Sequence, residues 1–433
     1  MEPLKNSFRA FVLILLLALP FLVSAQVEEV DIEALKKTAP KVFIDCQNCD
    51  LEFIKTEVTF VNYVRDRKEA DVHVLITTQK TGSEGKEHTL TFMGQNGFRG
   101  VDDVQKFVSG KNDTDDDIRR GLVKAMKIGL MSYVARTPIA RRIEVAYQPA
   151  PGAAAAVKDR WNSWVFNLAA EGYFNGEESY RNRYMEFTAS ANRVTPGLKL
   201  QFGLSTGITL NTYDYSGYQY ENRRNEYSLS GLAVKSLSPH WSAGLYFDAD
   251  SSDYSNLRWA LSGAPAVEFN IFPYAQSTRR QLRFLYRIGP SRMRYHDVTI
   301  YGTTSETLWR ESLSVALELR EKWGTVSTSL TASHYFHDFS KNRLNLFAML
   351  NLNLFKGLSL VTVASAAHVR DQLSLPARPP SLEEILLQSR EIETPYRYFV
   401  SFGLNFTFGS IYSNVVNPRF GAISSGGMRV TID

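Results

Sequence analysis

The segment from Tyr396 to Phe408 is the feature that most restricts how this chain folds. Successive side chains of a β-strand point to opposite faces, so a strand here divides the segment into two rows. One row is apolar throughout: Tyr398, Val400, Phe402, Leu404, Phe406 and Phe408. The other is mostly small or polar: Arg397, Phe399, Ser401, Gly403, Asn405 and Thr407. The segment is long enough to cross a bilayer, which takes roughly 9–11 residues, whereas strands of soluble sandwiches usually run about five or six.

The same alternation recurs backwards along the chain as far as Trp161. It predicts strands near residues 161–173, 180–194, 198–212, 223–236, 239–250, 257–271, 280–290, 307–320, 325–337, 342–355, 358–370 and 396–408. That makes about twelve strands, and an even number is the rule for single-chain bacterial barrels. Beyond residue 25 no apolar run reaches the length of a membrane helix, about 18 residues, so the strands are the only candidates for membrane-spanning elements.

In these features the part from Trp161 to Phe408 resembles the bacterial outer-membrane β-barrel proteins. The resemblance implies a mainly β fold, in which an antiparallel transmembrane β-barrel of about twelve strands at 161–409 follows a small α/β domain. The last strand of that family commonly ends in an aromatic residue that the assembly machinery recognises, and Phe408 matches it. The chain departs from the family in continuing beyond this position, and we expect residues 410–433 to be a periplasmic tail.

The first residues follow the pattern of a secretory signal peptide. Lys5 and Arg9 precede the apolar run Phe11–Val23, and a small-residue cleavage site ends at Ala25. The apolar run is too short for a membrane anchor, although a retained N-terminal anchor is the alternative. We therefore expect residues 1–25 to be removed on export in a Gram-negative bacterium, which places the barrel in the outer membrane and the N-terminal domain in the periplasm.

Residues 26–148 predict a compact two-layer α/β domain, joined to the barrel by a linker at 149–160 that is rich in proline and alanine. The predicted elements are strands Lys41–Asp45, Ala70–Thr78 and Glu87–Met93, a helix Ile118–Val134 capped by Thr114, and a last strand Arg142–Gln148. In element order this part resembles the N-terminal α/β domain of the periplasmic translocation protein TolB. That resemblance implies a domain for contacts with other proteins.

Cys46 and Cys49 form a C-x-x-C motif directly after the first strand. In an oxidising compartment such a pair favours a structural disulfide. A redox-active pair is the first alternative, but Asp50 and Glu52 oppose the thiolate that it needs. Half of a metal site is the second alternative, for which the usual further ligands are missing nearby.

The connections between the predicted strands are expected to alternate between short and long. Tight turns at 195–197, 238–239, 322–324 and 356–357 fall on one side of the barrel. The longer polar connections 213–223, 292–306 and 371–396 fall on the other side, which is outside the cell in these barrels. The N-terminal domain then lies on the short-turn, periplasmic side.

The row that faces the barrel interior is rich in charge. We expect these interior residues to be Glu171, Glu186, Arg224, Glu226, Arg258, Glu268, Arg283, Arg287, Arg310, Glu318, Arg320, Arg370 and Arg397. Two interpretations stay open, because a barrel of about twelve strands lies between a filled interior and an open channel. Either the charges pair and fill the lumen, or they line a narrow pore whose basic excess favours anions.

Catalysis is not expected. His334 has Ser333 and Asp338 nearby, but adjacent strand residues such as Ser333 and His334 face opposite sides, an arrangement that does not favour a triad. His337 and His368 have no partner motif, and no G-x-S-x-G, H-E-x-x-H or Gly-rich phosphate loop occurs. The sequence therefore predicts no enzyme, no cofactor and no metal site.

Together these patterns predict a non-enzymatic outer-membrane barrel that anchors a periplasmic interaction domain, as a structural or accessory component of an envelope assembly or transport complex. The expected partners are outer-membrane lipid and envelope proteins bound through residues 26–148 or the 371–396 loop. A net charge of +4 is too balanced to indicate nucleic acid. The alternative function is a narrow, anion-selective pore or transporter.

Overall fold

The computed structural model of this chain describes residues 38–82, 84–146, 159–215, 217–381, 384–385, 389–410, 412–414, 416–417, 419, 423–425 and 428–430. These residues form a small sheet with two α-helices, a much larger sheet, and a short terminal hairpin. The expected signal peptide at 1–25 lies outside the described residues, as does most of the expected linker. No helix in the described ranges has the length and apolar character needed to cross a membrane.

The small sheet belongs to residues 38–146, referred to below as the small domain. Its strands are β1 (Lys41–Asp45), β2 (Asn62–Tyr63), β3 (Val72–Lys80), β4 (Lys86–Gly94) and β5 (Asp102–Ser109). The helices are α1 (Leu51–Glu57) and α2 (Asp115–Val134). The strand order is β2-β1-β3-β4-β5, with β1 parallel to β2 and β3 and the other pairs antiparallel.

Helix α2 covers one face of this sheet. Thr114 and Asp117 form a capping box that satisfies free backbone N–H groups at the start of the helix. Met126 and Leu130 are fully buried against a core that includes Phe92. Glycine is required at position 129, because a Cβ there would lie 2.2 Å from the Phe92 ring. The helix can therefore approach the sheet closely.

Four predicted elements of the small domain are confirmed: β1, β3, β4 and α2. The predicted last strand at Arg142–Gln148 is wrong over its described part, since Pro138–Arg142 is a 3-10 helix and residues 143–146 have no regular structure, while residues 147 and 148 lie outside the described residues. Strand β5 pairs with β4 instead, and the sequence pattern does not predict this strand. Its two valines, Val104 and Val108, are exposed while Phe107 packs against the core, so the alternation of β5 gives no clear apolar row.

The large sheet confirms all the predicted strands of the second half as members of one antiparallel sheet of twelve strands. The strands are β6 (Trp164–Gly176), β7 (Tyr180–Val194), β8 (Leu198–Tyr215), β9 (Tyr218–Ser236), β10 (Trp241–Ser252), β11 (Leu257–Asn270), β12 (Arg280–Tyr295), β13 (Ser305–Glu321), β14 (Gly324–Tyr335), β15 (Asp338–Phe355), β16 (Leu358–Val369) and β17 (Tyr396–Phe406). Each pairs with the next strand in the chain, and β6 and β17 are the edges. Within the described residues the sheet is not closed. The terminal hairpin follows as β18 (Ile423–Ser425) and β19 (Met428–Val430).

The register gives the large sheet two different faces. One row across six strands is small or polar and consists of Asn167, Ser190, Gly203, Ser230, Asp248 and Ser262. The face that carries this row is defined as the inner face. The adjoining row on the outer face alternates large rings with small residues: Phe166, Ala191, Phe202, Gly231, Phe247 and Gly263. Rings on one strand therefore have room over the small residues of the next.

The predicted alternation of short turns and long loops is only partly right. Residues 213–223 do not form a long loop, because β8 and β9 continue until Tyr215 pairs with Tyr218. Buried asparagines support this extension, with Asn182, Asn211 and Asn222 in one row and the Asn182 amide donating to Asn211. The loop expected at 292–306 shortens to 296–304, whereas the long connection between β16 and β17 is present at 370–395.

Candidate functional site

The hairpin between β3 and β4 contacts the inner face of the large sheet and so joins the small domain to it. At its tip, Glu84 Oε1 accepts hydrogen bonds from Ser190 Oγ at 3.1 Å and from Asn192 Nδ2 at 2.9 Å. The other carboxylate oxygen accepts from Lys111 Nζ at 2.5 Å. The hydrogen bond from Lys111 lowers the pKa of Glu84 below its usual value, and those from Ser190 and Asn192 add to the effect. Glu84 is therefore held as an anion between the two parts of the chain.

A second contact lies at the turn between β15 and β16. Asp66 Oδ2 accepts from the Gly357 backbone N–H at 2.8 Å, and Glu69 pairs with Lys356. Arg67 Nη2 donates to the Asn353 carbonyl oxygen at 3.1 Å. The 65–69 segment of the small domain thus binds the end of the large sheet through backbone as well as side-chain groups.

The chain after β17 forms a third contact. Arg65 Nη1 donates to the Phe408 carbonyl oxygen at 3.0 Å. Further on, the Ser413 N–H donates to the Tyr63 carbonyl oxygen at 2.9 Å, and Asn414 Oδ1 accepts from the Tyr63 N–H at 2.6 Å. Residues 412–414 of the expected periplasmic tail therefore lie along the edge of β2 and cover it.

These three contacts reach the large sheet at widely separated strands. The first is on β7, next to the edge strand β6, and the last follows the opposite edge strand β17. One small domain touches both sides only if the large sheet curves round it. All the contacts lie at the end of the sheet that holds the turns 195–197 and 356–357, the end at which the sequence predicts the domain.

A cavity lies between the β3–β4 hairpin and the inner face. It has a volume of about 690 Å³, within the range of small-molecule sites. Thr78 and Gln79 line it from the hairpin. The charged and aromatic groups on the opposite side include Lys199, Tyr246, Glu268, Tyr274, Arg283, Glu318 and Arg320. Several predicted interior residues thus come together in one cavity under the small domain, with polar and apolar side chains in its wall.

The charges of this cavity are partly neutralised by neighbours. Arg283 Nε lies 3.7 Å from Glu268 Oε2, and the Tyr274 hydroxyl donates to Glu268 Oε1 at 2.9 Å. Burial raises the pKa of Tyr274, so its hydroxyl stays protonated at neutral pH and can donate this bond. Arg320 Nη1 donates to the Thr278 carbonyl oxygen at 3.3 Å. Hydrogen bonds and an ion pair to neighbouring groups therefore hold Glu268, Arg283 and Arg320 in place around the cavity.

The 370–395 connection covers the opposite end of the inner face. Asp371 pairs with Arg343 at 2.7 Å and lies 3.9 Å from Arg310. Asn256 Nδ2, from the turn between β10 and β11, donates to the Ser374 carbonyl oxygen at 2.8 Å. Leu373 is buried in a cluster with side chains of the large sheet. The long connection thus folds over strand ends instead of extending away from them.

Most of the predicted interior charges share the inner face by register. This group consists of Glu171, Glu186, Arg224, Glu226, Glu268, Arg283, Arg287, Arg310, Glu318, Arg320 and Arg397. Arg258 does not follow this alternation. The register shifts between Leu257 and Trp259, and both Leu257 and Ala260 pack on the interior cluster. Arg370 follows the end of β16 and is exposed.

The inner charges bond to several kinds of neighbour. Arg397 pairs with Glu391 of the long connection at 3.2 Å, and the Arg287 guanidinium lies 4.9 Å from the centre of the Tyr246 ring. Glu186 accepts from the Ser205 hydroxyl at 2.9 Å. Among the predicted set, Glu268 and Arg283 form the cross-strand pair. Loop acids, hydroxyls and aromatic rings therefore hold most of the other charges in place.

The remaining sequence candidates are separate from this cavity. Cys46 and Cys49 are joined in a disulfide with their Cα atoms 5.9 Å apart, and this turn faces Arg320 across a small cleft. His334 Nε2 lies 2.7 Å from Glu311 on the outer face, while Ser333 accepts from Arg310 on the inner face. The described residues hold no group of three or more His, Cys, Asp or Glu side chains arranged for a metal ion.

No protein-family model and no curated protein matches this chain.

Proposed function

We propose that this protein is a non-enzymatic outer-membrane β-barrel that holds a periplasmic domain against one end of its sheet and presents that domain to another envelope protein. The observation that carries the proposal is the attachment of the small domain across the large sheet, from Glu84 on β7 to Arg65 beyond β17. A domain bound at three places stays in one position relative to its anchor. It is therefore suited to a structural or accessory role in an envelope assembly or transport complex.

The two faces of the large sheet support a membrane location. Large apolar side chains such as Phe202, Phe247 and Leu404 are exposed on the outer face, while the inner face is mostly small, polar or charged. This is the distribution expected of a barrel with lipid outside and water inside. Backbone groups on an open edge cost several kcal/mol each in lipid. We therefore propose that β6 pairs with β17 in the membrane and closes the barrel along this seam.

The covered ends favour an anchor over a simple pore. The small domain lies over one end of the inner face, and Asp371 fixes the long connection over the other. The cavity of about 690 Å³ supports the second candidate, a narrow anion-selective pore or transporter, because Lys199, Arg283 and Arg320 line it. Recordings in planar bilayers separate the two. An anchor gives no steady conductance, whereas steady anion-selective openings would favour the pore.

Strand β5 is the surface of the small domain that we propose for partner binding. The β2 edge is covered by residues 412–414, whereas β5 is the other edge of the sheet. Val104 and Val108 on β5 are 52% and 57% exposed. An edge strand with exposed apolar side chains is a template for an added strand from another protein.

Site-specific photo-crosslinking in cells tests this surface. A photoreactive amino acid is placed at Val104 or Val108, and at Val145 as an exposed control beyond α2. We expect a discrete crosslinked band of higher mass from positions 104 and 108 and none from position 145. Equal labelling at all three positions, or none at 104 and 108, would contradict a partner at β5.

A further inference from the structure

The inner face becomes apolar at the three strands next to the β17 edge. The register places Phe347, Ser365 and Phe399 in one row, and Met349, Val363 and Ser401 in the next. Val361 continues the surface beside Gly403. Followed across the sheet, the Phe347 row continues through Ser329, Ala316, Arg283 and Asn270, which are small, polar or charged. This apolar surface next to the β17 edge is suited to an apolar ligand.

These apolar side chains are not covered by the rest of the protein. Phe347, Met349, Val361 and Phe399 are between 40% and 57% exposed. By contrast, Leu232, Val234 and Leu285, which also face inward, line the cavity beneath the small domain. Apolar surface of this kind is favourable only when another apolar group removes it from water.

Two small residues leave space along the inner side of β17. Ser401 and Gly403 lie next to each other on this row, between Phe399 and Asn405. A Cβ added to Gly403 would meet no atom of the described residues within 4 Å. The side chains of Phe399 and Met349 therefore border a groove that runs along β17 (the β17 groove). From Phe399 to Gly403, where the apolar part ends, it is roughly 14 Å long at about 3.4 Å per residue, close to the about 15 Å that an acyl chain spans in one leaflet.

The β17 groove is continuous with the outer face. Val400, Phe402 and Leu404 form the outer row of the same strand, and all are exposed. Between the two rows lies the backbone edge of β17, which the structure leaves unpaired in the described part of the large sheet. Strand β17 thus has an exposed apolar outer row on one side of its edge and the groove, bordered by Phe399, on the other. An acyl chain that lies against the outer row reaches the groove by crossing only this one backbone edge.

We infer that the β17 groove binds the acyl chain of a bilayer lipid, which enters sideways through the seam between β6 and β17. The inference rests on the proposed membrane location and adds a ligand class to it. The outer row of β17 indicates where the acyl chain comes from. In a membrane, the lipids that cover Phe402 on the outer face also lie next to the unpaired edge of β17. The barrel closes when β6 pairs with β17, as proposed above. An acyl chain enters when these two strands are apart.

Fluorescence quenching by lipid tests the site. The two native cysteines are bonded to each other, so a cysteine in place of Ser401 offers a single thiol for an environment-sensitive dye. The labelled full-length protein is reconstituted in phosphatidylcholine vesicles whose acyl chains carry bromine, a short-range quencher. Ser230→Cys, in the polar inner row, and Leu404→Cys, on the outer row, are the controls. We expect the labels at 401 and 404 to lose most of their fluorescence and the label at 230 to stay bright.

The controls distinguish failure of this inference from failure of the proposed function. Quenching at 404 with a label at 401 as bright as that at 230 would overturn the lipid groove and leave the membrane location intact. A bright label at 404 would overturn the membrane location and the groove with it. A second variant checks occupancy: Gly403→Phe fills open space, so it should restore the fluorescence of the 401 label, whereas Gly403→Ala should leave it quenched. Persistent quenching with Gly403→Phe would show that the chain lies elsewhere.

Discussion

The attachment of the β3–β4 hairpin to the inner face can be weakened at one side chain, Glu84. Glu84→Ala removes the acceptor for Ser190 and Asn192 on β7 and the partner of Lys111 within the small domain. Hydrogen bonds to charged groups contribute about 1.5–3 kcal/mol each when well buried. The site is near the surface, so the value must be reduced for solvent screening, to about 1–2 kcal/mol for the pair of bonds. That corresponds to a roughly 5–30-fold rise in the fraction of detached hairpin.

Hydrogen exchange measured by mass spectrometry reports this detachment. The Thr81 amide is bonded to the Gly85 carbonyl oxygen within the hairpin tip and exchanges when the detached tip opens, so its protection should fall by up to roughly 5–30-fold in Glu84→Ala. The matched control is Glu87→Ala on the same hairpin, because Glu87 bonds to Lys106 and Gln79 inside the small domain. Equal protection in the wild type and Glu84→Ala, or equal losses in both variants, would refute the assignment of Glu84 as the attachment point.

The effect of Glu84 also depends on pH in a defined direction. Its pKa in the folded protein is lowered, first by the hydrogen bond from Lys111. A carboxylate with a lowered pKa contributes stability above its unfolded pKa, about 4.3, and loses that contribution as the pH falls through the folded value. The difference in amide protection between the wild type and Glu84→Ala should therefore be largest at pH 7 and disappear in strong acid. A difference that grows as the pH falls would contradict this account.

Three further predictions concern other parts of the chain. Gly129→Ala places a methyl group against the Phe92 ring and should lower the stability of the small domain by about 1–3 kcal/mol, measured by denaturant unfolding; an unchanged midpoint would contradict the close approach of α2. Truncation after residue 410 uncovers the β2 edge, so the Tyr63 amide should exchange faster, and unchanged exchange would show that the tail binds elsewhere. Glu384, whose pKa the hydrogen bond from Arg378 lowers to about 2, should keep the 370–395 connection resistant to pepsin at pH 3. Pepsin should cut the Glu384→Gln variant faster. Equal rates of cutting would show that the Glu384–Arg378 pair does not hold this connection in place.

The sequence was sufficient for the strands of the large sheet because alternation is a local property. Along β17 it separates Phe402 from Ser401 without knowledge of any other strand. It failed where both faces are polar, as in the extension of β8 and β9 that buried Asn211 and Asn222 support. It also failed at β5, whose exposed valines reverse the expected pattern.

The site could not be predicted in the same way, because its contacts join distant parts of the chain. Arg65 binds the Phe408 carbonyl oxygen, and Glu84 binds Asn192, and neither pairing leaves a periodic trace in the sequence. The charged residues of the cavity were identified, but not the hairpin that covers them. The apolar inner surface at Phe347 and Phe399 was likewise hidden, since only the register brings these two strands into one row with Ser365.

The central claim is that the sheet from β6 to β17 spans a lipid bilayer. Polarised infrared spectroscopy of the full-length protein in oriented bilayers measures the tilt of its strands directly. The account predicts an ordered β-sheet signal with strands inclined about 35–45° from the membrane normal, as in closed barrels. Protein that remains in solution without detergent, or a β-sheet signal with no preferred orientation in the bilayer, would contradict it.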